Sequence, residues 1–153
     1  MRDWLPEDSV WRQRWLTLLA MAGLCLARFL VGFVPLKFWR KTLGSVSAGM
    51  DEGNASEAVE AAERLSRRVD RAAARLPFET NCLPRAMALS WLLRPADIGH
   101  DFVIAARPPG LRSDDDGLHA WIEVEGQKVI GDLPGPWHVV FRSIAWIESP
   151  PSV

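Results

Sequence analysis

One cysteine in the second half of the chain, Cys82, lies at a position where a thiol can become a nucleophile. Pro84 follows it by two residues, and proline is favoured in the first turn of a helix because its φ is already helical and it has no N–H to satisfy. Residues 83–94 contain no other helix breaker, and Pro95 ends the run. Cys82 is therefore predicted at a helix start, where unpaired N–H groups and the helix dipole favour a thiolate.

A predicted β-hairpin downstream supplies the polar partners that such a cysteine needs. Residues 118–124 and 127–132 alternate as strands do, and Glu125-Gly126 separates them as a two-residue turn. This turn places Glu123 opposite Lys128, and the opposite charges of that pair support the register.

The same register places His119 opposite Asp132, with Cβ atoms roughly 5 Å apart. A carboxylate at that distance fixes the tautomer of the imidazole and stabilises its charged form. His119 alone is typical of a structural histidine, and Cys82 alone of a small buried residue. Together, the cysteine at a helix start and the His–Asp pair favour a Cys–His–Asp catalytic triad.

The elements around these residues predict an α+β domain. We expect helices over residues 36–42 and 56–76 in addition to the Cys82 helix, and strands over residues 101–107, 118–124, 127–132 and about 137–147. Short neighbouring strands favour a small antiparallel sheet packed beside the nucleophile-bearing helix. We divide the chain into an N-terminal apolar helical region, residues 1–50, and a catalytic core, residues 51–153.

The apolar run over residues 11–36 predicts a helix closed by Pro35. Its length approaches that of a bilayer span, but Arg28 near the middle is costly in a membrane. We interpret the run as a helix buried against its own domain or a partner, with peripheral membrane contact and a true span as the alternatives. Cys25 lies within the run and is predicted to be a core residue.

The composition restricts the classes of function. A net charge of −1 over 153 residues gives no basis for nucleic-acid binding, and two cysteines form neither a disulfide framework nor a zinc motif. A reduced, cytoplasmic setting fits best. The sequence offers no metal-ligand set, and the acidic run Asp114-Asp-Asp116 is interpreted as a solvated loop. His100 and His138 have no partner at a telling spacing and receive no role.

Three segments of the chain closely resemble a known family. Asn81-Cys-Leu-Pro-Arg-Ala-Met-Ala-Leu, His119-Ala-Trp-Ile-Glu-Val-Glu-Gly and Val129-Ile-Gly-Asp132 are similar to the transglutaminase-like cysteine proteases of lasso-peptide biosynthesis. The resemblance implies a papain/transglutaminase-like fold and a leader peptidase without a cofactor. It further implies that Cys82 is the nucleophile, His119 the general base and then acid, and Asp132 the orienting carboxylate, acting through a thioester acyl-enzyme.

The resemblance also implies an oxyanion site that includes the backbone N–H of Cys82. Asn81 and Thr80 are weak candidates for a second donor. Arg85 and Trp121 are candidates for shaping the site, although a salt-bridging arginine and a core tryptophan are the plainer interpretations.

The implied partners are a precursor peptide, a separate leader-recognition protein and an ATP-dependent macrolactam synthetase. Residues 1–76 are predicted to be wholly helical and do not match the winged-helix-like recognition module that some relatives carry, so recognition is expected to reside in another chain. Two other functions remain open from the residues alone. They are a different transglutaminase-like acyl transferase or amidase, and a non-catalytic membrane-associated scaffold.

Overall fold

The computed structural model describes residues 10–44, 52–108, 110 and 117–143. Its first half is helical, with α1 Val10–Phe33, α2 Leu36–Trp39, a 3₁₀ turn Arg40–Thr42, α3 Glu52–Ala73 and α4 Cys82–Leu93. The predicted helices are confirmed with shifted ends, since α3 begins four residues earlier than the periodicity indicated. The proposed boundary between residues 50 and 51, the acidic run at 114–116 and the end of the last predicted strand lie outside the described residues.

Helix α3 shows why the first half of the chain folds as it does. Ala62, Val69 and Ala72 follow the helical period and are fully buried. The opposite face carries exposed ion pairs at i,i+4 spacing, Glu60–Arg64 at 3.8 Å and Glu63–Arg67 at 3.4 Å. Exposed pairs of this kind contribute only a few tenths of a kcal/mol each, about 0.3–0.5. Burial of the apolar stripe is therefore what holds α3 in place.

The sheet has four strands, all antiparallel. They are β1 Asp101–Ala106, β2 Leu118–Val124, β3 Gln127–Ile130 and β4 His138–Arg142, in the spatial order β3-β2-β1-β4. Alternate residues of β1 and β2 face opposite ways. One face, with Phe102, Ile104 and Ile122, belongs to the main core, and the other carries a small cluster around Trp121.

The molecule is built in three layers. α1 packs on α3 and α4, and these two helices pack on the sheet. Ala20, Leu24 and Ala27 are the fully buried residues of α1, and they join the same core as the helices beneath. The predicted α+β architecture, with the Cys82 helix beside a small antiparallel sheet, is confirmed. The prediction that Cys25 is a core residue is wrong, because its side of α1 faces away from α3 and α4 and is exposed.

Candidate functional site

Cys82 is the first residue of α4, as the position of Pro84 predicts. Asn81 precedes it in an extended conformation, and the Asn81 side chain makes no capping hydrogen bond. The first N–H groups of a helix have no intrahelical acceptor. Because Pro84 has no N–H, the donors that point out of this helix end are those of Cys82 and Leu83.

Cys82 and His119 line one open cavity of about 570 Å³ between α3, the start of α4 and the end of β3. Its walls are formed by Ser66, Asp70, Thr80, Cys82, Arg85, His119 and residues 128–133. Cys82 is half-buried, and its Sγ donates to the backbone carbonyl of Leu118 at 4.0 Å. The thiol therefore contacts the residue directly before His119, and not the imidazole itself.

The imidazole of His119 is held in one tautomer by the backbone. Its Nε2 lies 2.5 Å from the carbonyl oxygen of Gly131. A carbonyl oxygen only accepts hydrogen bonds, so Nε2 carries the proton and Nδ1 of the neutral ring is left as an acceptor. This is the state that a general base requires, with the proton-accepting nitrogen free of its own hydrogen.

Gly131 allows this contact because it takes a conformation that other residues avoid. Its φ is +78°, and a Cβ at this position would lie 2.6 Å from the carbonyl oxygen of Ala120 and 3.1 Å from Cβ of Trp121. The close approach brings the Gly131 carbonyl within hydrogen-bond distance of Nε2 of His119. A glycine is required here both for the left-handed φ and for the space.

The predicted register of the hairpin is correct next to the turn and wrong beyond it. Val124 pairs with Gln127 and Glu123 with Lys128, and positive φ values at Glu125 and Gly126 match a two-residue turn. The register then shifts by one residue, so that Ile122 pairs with Ile130. A bulge of this kind adds one residue to one strand and changes every pairing that follows.

Asp132 consequently does not face His119. It lies past the end of β3, where its side chain is 79% exposed and pairs with Lys128 at 3.5 Å. The backbone carbonyl of Gly131 stands in the position beside the ring that Asp132 was predicted to fill. Asp132 still lines the cavity, and its catalytic role stays a prediction.

Of the four weaker candidates, two line the cavity and two do not. Thr80 and Arg85 line the cavity, and the Thr80 hydroxyl accepts a hydrogen bond from Nε of Arg85 at 3.2 Å. Arg85 also pairs with Asp70 at 3.5 Å. Asn81 lines a neighbouring depression instead. Trp121 lies beside His119 on the sheet face opposite the main core, with ring centroids 5.9 Å apart.

Trp137 is a neighbour of His119 that the sequence analysis missed. Its ring centroid lies 5.0 Å from that of His119, and the guanidinium of Arg107 lies 4.9 Å from the Trp137 ring. The indole N–H donates to the carbonyl of Leu133 at 3.1 Å, which holds the loop after β3 against the ring. No spacing in the sequence indicates this contact, because it depends on the path of an irregular loop.

An ion-pair cluster fixes the far side of β2. Arg142 donates to Glu123 at 2.7 Å and to Asp101 at 2.9 Å, and the Trp121 indole donates to Glu123 at 2.6 Å. Burial alone would raise the pKa of Glu123, but the hydrogen bonds from Arg142 and Trp121 outweigh it, so the pKa lies below its ordinary value. Glu123 thus ties β2 to β4 rather than bonding to Lys128 across the hairpin.

A second histidine contact was also missed. His100, to which no role was assigned, lies 2.8 Å from Oγ of buried Ser90, and its Nδ1 lies 2.9 Å from the carbonyl of Ile98. Burial lowers the pKa of His100 below its ordinary value, and Arg94 acts in the same direction. A buried serine inside an apolar helix needs a hydrogen-bond partner, so Ser90 is the residue in the sequence that could have indicated this contact.

No metal centre accompanies these contacts in the described part of the chain. Within residues 10–44, 52–108, 110 and 117–143, no group of three or more His, Cys, Asp or Glu side chains is arranged to hold a metal ion. The cavity offers a thiol, an imidazole, two ion pairs and the hydroxyls of Ser66 and Thr80. This set suits acyl chemistry through a covalent intermediate.

Comparison with known families agrees with that chemistry. The model of a family described as the transglutaminase-like superfamily matches residues 29–142, which include α4, the whole sheet and the end of α1. No curated protein and no solved structure matches the chain significantly.

Proposed function

Because the chain belongs to the transglutaminase-like superfamily, we propose that it is a cysteine endopeptidase that removes the leader from a ribosomally made lasso-peptide precursor. The observation that carries the proposal is that Cys82 and His119 line one open cavity. The motifs that resemble lasso-peptide proteases, Asn81 to Leu89, His119 to Gly126 and Val129 to Asp132, support the choice of substrate.

The first half of the reaction forms a thioester. In the proposed reaction Sγ of Cys82 leaves the Leu118 carbonyl and gives its proton to Nδ1 of His119. Sγ then attacks the scissile carbonyl carbon, and the N–H groups of Cys82 and Leu83 bind the oxyanion. The C–N bond breaks as the carbonyl re-forms, and the proton on Nδ1 passes to the leaving amine.

The second half hydrolyses the thioester. A water molecule gives a proton to Nδ1 and attacks the acyl carbon, and the C–S bond breaks as the new carboxylic acid forms. The proton held by the imidazolium returns to Sγ or is lost to solvent. Through both halves Nε2 keeps its hydrogen bond to Gly131, so the ring stays oriented while Nδ1 exchanges protons.

Three other cavity residues take supporting roles in the proposal. The Thr80 oxygen already accepts from Arg85, which directs the hydroxyl proton elsewhere and makes Thr80 a candidate for an additional, side-chain donor to the oxyanion. Asp132 stabilises the imidazolium from the cavity wall by its charge, at longer range than a direct hydrogen bond. That charge is partly offset by Lys128.

The partners are those that the resemblance implies. We propose that a separate leader-recognition protein delivers the precursor, and that an ATP-dependent macrolactam synthetase consumes the freed core peptide.

The test is cleavage of the precursor in the presence of its leader-recognition protein, followed by mass spectrometry. Cys82→Ala and His119→Ala are expected to lower the rate at least about 1,000-fold, because they remove the nucleophile and the base. Cys25→Ala and His138→Ala are matched controls, since both residues are exposed and neither lines the cavity.

The mass of the product separates hydrolysis from transfer. A cleaved core and a leader that together exceed the precursor by one water support a peptidase. A product that carries an amine acceptor in place of water would show an acyl transferase instead. Unchanged turnover by folded Cys82→Ala, judged by circular dichroism, would contradict any catalysis through this thiol.

A further inference from the structure

Helix α1 has an apolar face that nothing in the described structure covers. The residues on this face lie three, four or eight positions apart, as residues on one side of a helix do, and are 51–78% exposed, namely Trp11, Trp15, Leu18, Leu26, Phe29 and Phe33. The opposite side of the helix supplies Ala20, Leu24 and Ala27 to the core. In its most apolar 18-residue window, 17% of the residues are buried. This is unlike a core helix, which is buried on most sides.

The same segment is uniformly basic. Residues 9–50 contain six lysines and arginines and no aspartate or glutamate. The whole chain has a net charge of −1, so subtracting these +6 leaves −7 for the other residues. A net positive charge thus lies in the segment whose apolar residues are exposed, and that combination favours an anionic and apolar partner.

The basic side chains lie beside the exposed aromatic rings. The guanidinium of Arg14 is 5.9 Å from the ring of Trp11, and Nζ of Lys37 is 4.9 Å from the ring of Phe38, which is 66% exposed. Arg28 is exposed next to Phe29. Aromatic rings near the head groups, with cations that reach past them to phosphates, are typical of helices that lie in a membrane interface.

We propose that the exposed face of α1, together with Phe38, docks flat on a bilayer that contains anionic lipids. By length and composition α1 is able to cross a membrane. A span would withdraw Ala20, Leu24 and Ala27 from α3 and α4 and expose the core beneath them. Flat docking keeps those contacts and buries only the outer face.

The layer order makes this docking compatible with an accessible cavity. No cavity-lining residue belongs to α1, and α3 and α4 separate α1 from the sheet. The membrane would therefore hold the protein from the side opposite the sheet. The inference does not depend on the proposed peptidase activity, since it rests on α1 and α2 alone.

The test is sedimentation of the full chain with vesicles of phosphatidylcholine that contain about 30% phosphatidylglycerol. We expect binding that falls about 30-fold in Arg14→Gln/Arg28→Gln, because each basic residue near an anionic surface contributes about fivefold. Leu18→Ser/Phe29→Ser should weaken binding at least about tenfold, because it removes apolar surface from the interface. Val139→Ser/Val140→Ser is the matched control, since both valines are exposed on β4.

A second measurement keeps the inference testable if a variant folds poorly. Cys25 is exposed on α1, so an environment-sensitive fluorophore attached there in Cys82→Ser should shift to the blue with anionic vesicles and not with pure phosphatidylcholine. Alkaline carbonate should release the bound protein, and resistance to it would overturn flat docking.

Two further results would overturn the lipid assignment. One is equal sedimentation of the wild type and both α1 variants. The other is a lack of vesicle binding together with a concentration-dependent dimer that Leu18→Ser/Phe29→Ser disrupts, since a second copy of the chain would then be the partner of this face.

Discussion

Two histidines in this molecule make similar hydrogen bonds but differ in the role that we expect of them. His119 gives its Nε2 proton to the carbonyl of Gly131, and His100 gives its Nδ1 proton to the carbonyl of Ile98. Each ring is left with one accepting nitrogen. At His100 that nitrogen accepts from the hydroxyl of Ser90, and at His119 it is free for the thiol proton.

Access to substrate separates the two. Ser90 is fully buried and His100 is 3% exposed, so no substrate reaches them. The Ser90 hydroxyl also accepts from the backbone N–H of Gly44 at 3.0 Å, which ties the segment after the 3₁₀ turn to α4. His119 and Cys82 instead line an open cavity. An imidazole with one accepting nitrogen therefore marks a candidate site where a cavity opens onto it, as at His119, and a buried one such as His100 stabilises the fold.

The largest effect on cleavage among these substitutions is expected when the Gly131 carbonyl that orients His119 is displaced. Gly131→Ala places a Cβ 2.6 Å from the Ala120 carbonyl at a φ of +78°, so the Gly131 carbonyl must shift. We expect precursor cleavage to fall about 100-fold, since a displacement near 1 Å costs that much in a positioned reaction. Gly32→Ala is the control, because a Cβ at Gly32 meets nothing within 4 Å. Full activity in Gly131→Ala would show that the carbonyl does not orient the base.

A substitution in the buried Ser90–His100 pair should lower the stability of the protein and leave catalysis unchanged. Ser90→Ala leaves the accepting nitrogen of His100 and the N–H of Gly44 without this partner, and we expect the free energy of unfolding to fall by about 1–3 kcal/mol. Activity per folded molecule should be unchanged. Urea denaturation measures the first and precursor cleavage the second, with Ser56→Ala as an exposed control on α3. A loss of activity in stable Ser90→Ala would mean that the two histidines are coupled.

Acid should destabilise the protein through His100. Its pKa in the folded state is lowered by burial, whereas the unfolded chain has the ordinary value of about 6.5. The unfolded state therefore binds more protons below that pH. The contribution of His100 to stability is complete above about pH 6.5 and is lost as the pH falls, by at most about 1.4 kcal/mol per pH unit. A ring titration by NMR should give a midpoint for His100 below the ordinary value of about 6.5. A midpoint at or above that value would contradict this.

The smallest effect is expected at Asp132. Its carboxylate is exposed and paired with Lys128, so Asp132→Asn should lower cleavage less than about tenfold. Glu60→Gln, an exposed ion-pair residue on α3, controls for the loss of one surface charge. A loss of about 100-fold or more in Asp132→Asn would show that the carboxylate reaches His119 during the reaction.

Local features of this chain could be predicted, and features that depend on backbone irregularities could not. The start of α4 at Cys82 follows from Pro84, and the two-residue turn follows from the strands on either side of Glu125-Gly126. The bulge beyond Lys128 leaves no mark in the residue types. That one inserted residue replaced the predicted Asp132 contact with a carbonyl of the main chain.

The other contacts that the sequence did not predict also depend on the path of irregular backbone. Ser90 and His100 meet across a reversal that includes Asp97 at a φ of +58°, and Trp137 reaches His119 through a loop. Cys25 was placed in the core because the run around it is apolar throughout, and periodicity does not say which side of such a helix is covered. That face is the one on which the docking inference rests.

The most direct test of the account is the rate of alkylation of Cys82 by iodoacetamide near pH 6 in lipid-free buffer, with Cys25 as the reference in the same molecule. Trypsin places the two cysteines in separate peptides, residues 76–85 and 15–28, so one mass spectrum reports both rates. We expect Cys82 to react at least about tenfold faster than Cys25, because only the thiolate reacts and His119 accepts its proton. His119→Ala should abolish that difference and His138→Ala should preserve it. A Cys82 that reacts no faster than Cys25, or equally fast without His119, would contradict a Cys82–His119 catalytic pair.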